Sequence, residues 1–243
     1  MQSMACRCSR EGGRRRALHE AAWRIAAPLL PSRIDLVLPP NVPNPDLRRY
    51  APATERNRQP ILDVLRRILP DSGRVLEIGS GTGEHAVFFA QALPGWTWLP
   101  SEGDAQMLPS IQAWIDHAGA DNVEPPRVID VQAMDWGVPP VDAIVCCNVI
   151  HYSAWETTPA LLDGAARLLR PGGVLYLYGP YRRGGVHTAP SNEAFDHWLK
   201  QRDPAFGVRN LEDVQAEAAG RGLAAGPVIE MPANNLSVIF TAG

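Results

Sequence analysis

The chain has 243 residues, of which 45% are hydrophobic and 20% are charged. This length and composition are sufficient for one α/β domain with a full hydrophobic core. The net charge is −3, and basic residues outnumber acidic ones only within the first 58 residues, so the rest of the chain is acidic. An acidic domain argues against binding to a phosphate backbone, and we expect no nucleic-acid partner.

The four cysteines predict neither a disulfide framework nor a metal site. Cys6 and Cys8 form a C-x-C pair without a histidine or cysteine partner at zinc-site spacing. Cys146 and Cys147 are neighbours in an apolar run, where their side chains should point to opposite faces of a strand. Reduced thiols predict a cytoplasmic protein, and no apolar run approaches the roughly 20 residues that span a bilayer.

Residues 1–44 are predicted to form a poorly ordered arm, and residues 45–243 a single domain. The proline-rich stretch 38–45 is incompatible with regular structure, and a secretory signal would need a longer apolar core and a small-residue cleavage site. An arginine-rich targeting peptide is the alternative for the arm, although three acidic residues dilute its charge.

From residue 46 onward, apolar periodicity predicts helices that alternate with buried strands. In chain order we predict a helix at 54–69, a strand at 74–78, a helix at 84–93, a strand at 96–99, a helix at 105–117, strands at 127–130 and 141–147, a helix at 156–169, an "RPGG" turn and a strand at 174–178. Continuous apolar strands joined by helices predict a parallel sheet that is covered on both faces.

The segment after residue 178 breaks this alternation. Helices at 191–202 and 211–221 precede two apolar runs, 228–231 and 236–241. The four residues between these runs are too few for a crossover helix, so the runs must pair in antiparallel fashion. The predicted fold is thus α/β, a doubly wound, seven-stranded, mostly parallel sheet with a C-terminal antiparallel hairpin. It resembles the class I methyltransferase fold, which binds S-adenosylmethionine, and its ending differs from that of dehydrogenases.

The string "RVLEIGSGTGEH" predicts a strand, a glycine turn and a helix. The glycines are Gly79, Gly81 and Gly83, whereas the dinucleotide fingerprint would have its third glycine where this chain has Glu84. Glycine at the first two positions lets the backbone approach a ligand without a Cβ. Glu77 is costly to bury without a partner, and class I methyltransferases commonly place an acid there to meet the ammonium group of the cofactor. The turn therefore favours S-adenosylmethionine.

Polar residues also end the next three predicted strands, at the edge where doubly wound folds bind their ligands. Glu102 is positioned to accept hydrogen bonds from both ribose hydroxyls, with Asp104 as the alternative. Asp130 and Val131 end the third strand, where an aspartate commonly meets the adenine amino group. Asn148 ends the fourth strand, beside the methionine end of such a cofactor.

The chain also resembles a bacterial and animal family of methyltransferase-like proteins of unassigned substrate, formerly a domain of unknown function. The resemblance covers residues 46–240 and rests on six strings: "RYAPATERN" (49–57), "SGTGEH" (80–85), "NVIH" (148–151), "YGPY" (178–181), "HTAPSN" (187–192) and "MPANNL" (231–236). It implies a methyltransferase fold with a cofactor site, and it names no methyl acceptor.

The candidate catalytic residues follow the fourth and fifth strands. They are His151, Tyr181 and His187, and Ser191 and Asn192 follow the last of these in the chain. A histidine is the natural base if a hydroxyl or thiol must lose its proton near neutral pH, and a hydrogen-bonding role at the surface is the alternative.

Residues 49–57 precede the first strand and are predicted to close the cofactor site as a lid. Tyr50 would cover the cofactor and Asn57 would reach its polar end. The alternative is that Tyr50 packs against the following helix, with Thr54 as the helix cap.

Three functions are consistent with these features. The first is an S-adenosylmethionine-dependent methyltransferase whose partner is a small-molecule methyl acceptor, with no metal, nucleic acid or membrane involved. The second is a nicotinamide-dependent oxidoreductase, against which Glu77, Glu84 and the terminal hairpin argue. The third is a catalytically silent protein that binds the cofactor. The string "NVIH" lacks the paired prolines typical of enzymes that methylate DNA adenine or glutamine.

Overall fold

The computed structural model describes residues 46–243, so the predicted arm, with Cys6 and Cys8, lies outside the described residues. Within this described part, none of the helices combines the length and apolar character needed to cross a membrane. Nor does this part of the chain contain a cluster of three or more His, Cys, Asp or Glu side chains placed to hold a metal ion.

The described residues form six α-helices and nine strands. The helices are α1 (Pro52–Ile68), α2 (Glu84–Ala92), α3 (Leu108–Ala118), α4 (Thr157–Leu168), α5 (Pro190–Arg202) and α6 (Leu211–Ala219). The strands are β1 (Gly73–Ile78), β2 (Trp96–Glu102), β3 (Arg127–Val128), β4 (Val141–Cys147), β5 (Leu169–Gly179), β6 (Arg182–Arg183), β7 (Val186–His187), β8 (Leu223–Met231) and β9 (Asn235–Ala242).

Seven strands form one sheet in the order β3-β2-β1-β4-β5-β9-β8. Strands β1 to β5 are parallel to one another, whereas β9 is antiparallel to both β5 and β8. This arrangement confirms the predicted doubly wound sheet with its C-terminal antiparallel hairpin. Because β1 and β4 are neighbours although other strands separate them in the chain, the strand order reverses between them, which is where such folds open a ligand crevice.

Each face of the sheet carries its own hydrophobic core, because successive residues of a strand point to opposite sides. Leu76 and Cys146 pack with side chains of α4 and α6, while Val75 packs with side chains of α1, α2 and α3. Cys147 packs on the second face, so the predicted opposite orientation of the two cysteines is confirmed. Burial of each large apolar side chain contributes roughly 1.5–3 kcal/mol to folding.

Several boundaries differ from the prediction. The "RPGG" segment, predicted as a turn, belongs to β5, because Leu169 pairs with Val141 of β4 and the register shifts beyond that pair. The hairpin formed by β6 and β7 was not predicted, since its two-residue strands are too short to show a period. Helix α1 begins at Pro52, so Thr54 is not its cap.

Candidate active site

A cavity of about 680 Å³ opens at the carboxyl ends of β1, β2 and β4. This volume lies within the range of small-molecule and cofactor sites. The lining residues come from α1 and the segment before it, the glycine turn and the strand ends, and include Asn57, Gly79, Gly81, His85, Glu102, Asp130, Val131, Cys147, Asn148, Tyr152 and Thr157.

The three glycines of the turn have positive φ angles, but the space beside each of them differs. Gly81, at φ +56°, has no atom within 4 Å of the position that a Cβ would take, and it lines the cavity. A Cβ on Gly79 would lie 2.2 Å from Cγ2 of Val149, and one on Gly83 would lie 2.7 Å from Cα of Ile111. Close packing therefore requires Gly79 and Gly83, whereas at Gly81 the backbone is bare toward the cavity.

Glu102 joins the end of β2 to the glycine turn. Its Oε2 accepts a hydrogen bond of 2.8 Å from the backbone N–H of Gly81, and its Oε1 accepts one of 2.9 Å from that of Gly103. Asp104, the alternative ribose partner, instead accepts a bond of 2.9 Å from the N–H of Gln106 and does not line the cavity. Of the two acids, Glu102 is the one at the cavity.

Glu77 lies beneath the turn, with 2% of its surface exposed, and does not line the cavity. Its Oε2 accepts hydrogen bonds from the Ser80 hydroxyl at 2.9 Å and from the Trp98 indole N–H at 3.1 Å. Burial raises the pKa of this carboxyl to about 7, although the two hydrogen bonds oppose the shift. In this arrangement Glu77 holds the turn from below, and its contact with an ammonium group stays a prediction.

Two further strand ends supply polar groups to the cavity. Asp130 accepts a bond of 2.9 Å from the N–H of Gln132, which fixes the loop after β3, and Val131 lines the cavity beside it. Asn148 has a φ of +64°, and its N–H donates to the Tyr178 carbonyl at 2.7 Å. The predicted groups of β2, β3 and β4 thus meet at one edge of the sheet.

His85 is a cavity residue that the sequence reasoning did not single out. Its Nε2 lies 2.8 Å from Oδ1 of Asn57, and its ring stacks on Phe89 at 5.1 Å. Burial lowers the pKa of His85 to about 4, with a smaller contribution from Arg58, so the ring is neutral at neutral pH. His85 lies in the first turn of the helix that follows the glycine-rich loop, and this position in the sequence could have indicated that it lines the site.

The segment before α1 is tied to the glycine turn by Glu84. The Glu84 Oε2 accepts hydrogen bonds from the Ala51 N–H at 2.6 Å and from the Thr82 hydroxyl at 2.8 Å. Ala51, Thr54 and Asn57 line the cavity, so this segment forms one of its walls.

Tyr50 does not face the cavity. It is 61% exposed, and its ring contacts the Trp114 ring with centroids 5.1 Å apart. The Trp114 indole N–H also donates to the Arg49 carbonyl at 2.9 Å, and the Arg49 N–H donates to the Ser110 hydroxyl at 2.8 Å. These contacts attach the start of the segment to α3, and Tyr50 lies against Trp114, outside the cavity lining.

The three candidate catalytic side chains are outside the cavity lining. His151 and Tyr181 are fully buried, with ring centroids 5.1 Å apart. Within the described residues, Nε2 of His151 and the Tyr181 hydroxyl have no hydrogen-bond partner. Burial, followed by Arg209, lowers the pKa of His151 to about 3, so the ring is neutral but sealed from solvent. Their placement does not support a direct role in catalysis.

His187 lies in a separate surface depression, with its Nε2 3.5 Å from Oδ2 of Asp196. Asn192 is buried, and its side-chain N–H groups donate to the Thr188 hydroxyl and to the Asn234 carbonyl. Ser191 accepts a bond of 3.1 Å from the Asn234 side chain. These residues join α5 to the loop between β8 and β9, away from the cavity.

Comparison with known proteins agrees with this fold. Residues 48–242 match the family described as protein of unknown function DUF938. A tRNA (guanine-N(7)-)-methyltransferase of Acidithiobacillus ferrooxidans is 32% identical over 113 residues, which are 42% of this chain and 48% of that protein. The chain therefore spans about half the length of this curated relative.

Two solved structures illustrate the shared fold. An O-methyltransferase family 2 protein from Planctomyces limnophilus, crystallised in complex with apigenin, superposes with a TM-score of 0.67 at 18% identity, over 79% of this chain and 60% of that chain. CalO1, a methyltransferase of calicheamicin biosynthesis in its SAH-bound form, superposes with a TM-score of 0.63 at 15% identity, over 79% and 55% of the two chains.

Proposed function

We propose that this chain, which belongs to the DUF938 family, is an S-adenosylmethionine-dependent methyltransferase that acts on a small molecule. Its fold is that of class I methyltransferases, and its cavity opens at the edge of the sheet where doubly wound folds bind nucleotide-like ligands.

The observation that carries the proposal is the hydrogen bond from the Gly81 N–H to the carboxylate of Glu102. In dinucleotide-binding folds the N–H groups of the glycine turn receive a pyrophosphate. Here the Gly81 N–H already donates to the Glu102 carboxylate, whose negative charge would repel a pyrophosphate. Among the described residues, no lysine or arginine lines the cavity to offset that charge. A cofactor that carries a sulfonium and an ammonium group matches this charge, whereas a nicotinamide dinucleotide does not.

Within this proposal each strand end has a role. Glu102 accepts hydrogen bonds from the ribose hydroxyls, Asp130 and the Val131 N–H meet the adenine, and Asn148 lies at the methionine end, which Asn57 and His85 also face. When bound, S-adenosylmethionine supplies a methyl group activated as a sulfonium. The protein then has to align the acceptor with that methyl group and exclude water, so a general base is not obligatory.

A small molecule is favoured as the acceptor over a nucleic acid. The curated relative acts on tRNA, but the cavity wall described above offers carboxylates and no cation to a phosphate chain. Cys146 and Cys147 are free thiols, and we place the activity in the cytoplasm, where thiols stay reduced.

Titration calorimetry with adenosylhomocysteine, NAD⁺ and purified bulk tRNA tests the proposal. We expect one molecule of adenosylhomocysteine to bind per chain, with no heat from NAD⁺ or tRNA under the same conditions. Binding of NAD⁺ without adenosylhomocysteine would favour the oxidoreductase and overturn the proposal, and binding of tRNA would change the class of acceptor.

A catalytically silent cofactor-binding protein is separated from an enzyme by a second experiment. Metabolite extracts are incubated with the protein and methyl-labelled S-adenosylmethionine, and we expect label to appear in a small-molecule fraction. Tight adenosylhomocysteine binding without labelled product would favour the silent alternative.

A further inference from the structure

Three aromatic side chains form a cluster at the mouth of the cavity, which we name the aromatic surface. Tyr152 follows β4, whereas Phe195 and Trp198 lie one helical turn apart on α5. The Tyr152 ring is 5.8 Å from Phe195 and 6.0 Å from Trp198, and the Phe195 and Trp198 rings stack at 5.7 Å with an interplanar angle of 20°. The cluster therefore joins two elements that are distant in the chain.

The aromatic surface faces outward and is continuous with the cavity. Helix α5 buries a different side, on which Asn192, Asp196 and Leu199 lie. Tyr152 remains 42% exposed and Trp198 39% exposed, and Tyr152 is itself a lining residue of the cavity. Transfer of a large aromatic ring out of water is favourable. Exposure of two such rings at a cavity mouth therefore indicates a binding surface.

Charge at the aromatic surface differs from charge inside the cavity. The Arg202 guanidinium lies 3.8 Å above the Trp198 ring, and of the described residues it alone places a cation over one of these three rings. Glu102 and Asp130 supply carboxylates within the cavity. An electron-rich or anionic ring system on the aromatic surface would therefore lie near a cation and apart from these acids.

We propose that Tyr152, Phe195 and Trp198 bind a planar aromatic small molecule as the methyl acceptor, with its reacting substituent directed into the cavity past Tyr152. This inference rests on the proposed function, and it adds the class of substrate. Stacking accounts for the selection of planar molecules, because offset or edge-to-face ring contacts contribute beyond the area that they bury. Apart from Arg202, none of the described residues places a cation over these rings, so the rings themselves offer little to a nucleic-acid backbone.

The test is calorimetry with 7-hydroxycoumarin as the planar probe and cyclohexanol as the non-planar control, each with and without saturating adenosylhomocysteine. We expect the wild-type protein to bind the coumarin and not cyclohexanol. Trp198→Ala and Tyr152→Ala should each weaken coumarin binding at least about fivefold, whereas Trp198→Phe, which keeps a ring, should stay within about twofold of wild type.

Two controls separate binding from folding. Val186→Ala removes an exposed apolar side chain, 70% exposed, from a different hairpin and should leave coumarin affinity unchanged. Trp198 does not line the cavity, so Trp198→Ala should bind adenosylhomocysteine as tightly as wild type and remain folded at the assay temperature, although its melting temperature falls because the packing on Phe195 and Tyr152 is lost.

The outcomes distinguish the two proposals. If adenosylhomocysteine binds but coumarin does not, or if coumarin affinity is equal in wild type and Trp198→Ala, the aromatic surface is not an acceptor site and the methyltransferase proposal stands. If tRNA binds and Trp198→Ala weakens that binding, the acceptor class is wrong. Failure of wild-type protein to bind adenosylhomocysteine overturns the proposed function itself.

Discussion

The glycine turn, residues 79–83, has one face toward the cavity and one toward the core, and each face holds a glycine and a glutamate. On the cavity face, Gly81 is bare and Glu102 lies at the lining. On the core face, Gly83 packs against Ile111 and Glu77 is buried under the turn.

A glycine and a glutamate therefore contribute to ligand binding on the cavity face and to stability on the core face. A carboxylate at the cavity remains available to a ligand, whereas one beneath the turn is committed to Ser80 and Trp98. Changes on the core face should reduce the free energy of unfolding, and changes on the cavity face should reduce ligand affinity. The following experiments separate these two effects.

Gly83→Ala should have the largest effect. A Cβ at this residue meets the backbone of Ile111, and its φ of +97° is unfavourable for alanine, so we expect a loss of roughly 3 kcal/mol in the free energy of unfolding. Gly81→Ala is the matched control, because it has open space and should lose only about 1 kcal/mol while binding adenosylhomocysteine poorly. Urea denaturation measures both, and equal losses would contradict the division into two faces.

Glu77→Gln should alter how stability depends on pH. The pKa of Glu77 is about 7 in the folded chain against an ordinary value of 4.5, so the folded state holds a proton that the unfolded state releases. The free energy of unfolding then falls as pH rises from about 4.5 to 7, by up to about 3 kcal/mol, and glutamine removes this fall.

The measurement is urea denaturation of wild type and Glu77→Gln at pH 5, 6 and 7. The lowered pKa values of His85 and His151 act in the opposite sense, since stability from them is lost as pH falls below about 6.5, but their contribution cancels in the difference. The free energy of unfolding of Glu77→Gln, relative to that of wild type, should therefore increase as pH rises. A difference that stays constant would show that Glu77 is ionised in the fold.

Glu102→Ala should weaken adenosylhomocysteine binding by about 1.5–3 kcal/mol, the value expected for hydrogen bonds to a charged group. That is roughly a 10- to 150-fold increase in Kd by calorimetry. Asp104→Ala is the control, because Asp104 starts a short helix outside the cavity and should leave the affinity unchanged. A reversed result would assign the ribose contact to Asp104.

The smallest effect is expected in the hydrogen exchange of residues 49–57, which form a wall of the cavity, when ligand binds. The bonds of Ala51 to Glu84 and of Arg49 to Ser110 hold it in place without ligand, so we expect only a severalfold slowing of hydrogen exchange when adenosylhomocysteine binds. Residues 79–83 serve as the positive control and α6 as the negative one. Unchanged exchange in 49–57, with protection at 79–83, would make the segment a fixed wall and not a lid.

Much of the fold was predictable from the sequence, and the site only in part. Apolar runs and helical periods located the elements that build the sheet, and the strand ends correctly brought Glu102, Asp130 and Asn148 to one edge. The pairing of the "RPGG" segment with β4 was not predictable, because it depends on a neighbour that is distant in the chain. Whether these edge residues bind a cofactor stays a prediction.

The sequence by itself determined the order of the elements and the residues that end each strand, because periodicity and chain length act locally. Only the tertiary structure decided which polar groups reach the cavity. Glu77 and His151 both lie at or near strand ends, yet both are buried, Glu77 against the Trp98 indole and His151 against the Tyr181 ring and the Arg209 backbone. His85 follows the glycine-rich loop in the chain, and it lines the cavity where α1 brings Asn57 to its ring. A side chain's access to a ligand depends on elements far away in the chain, and local sequence does not encode it.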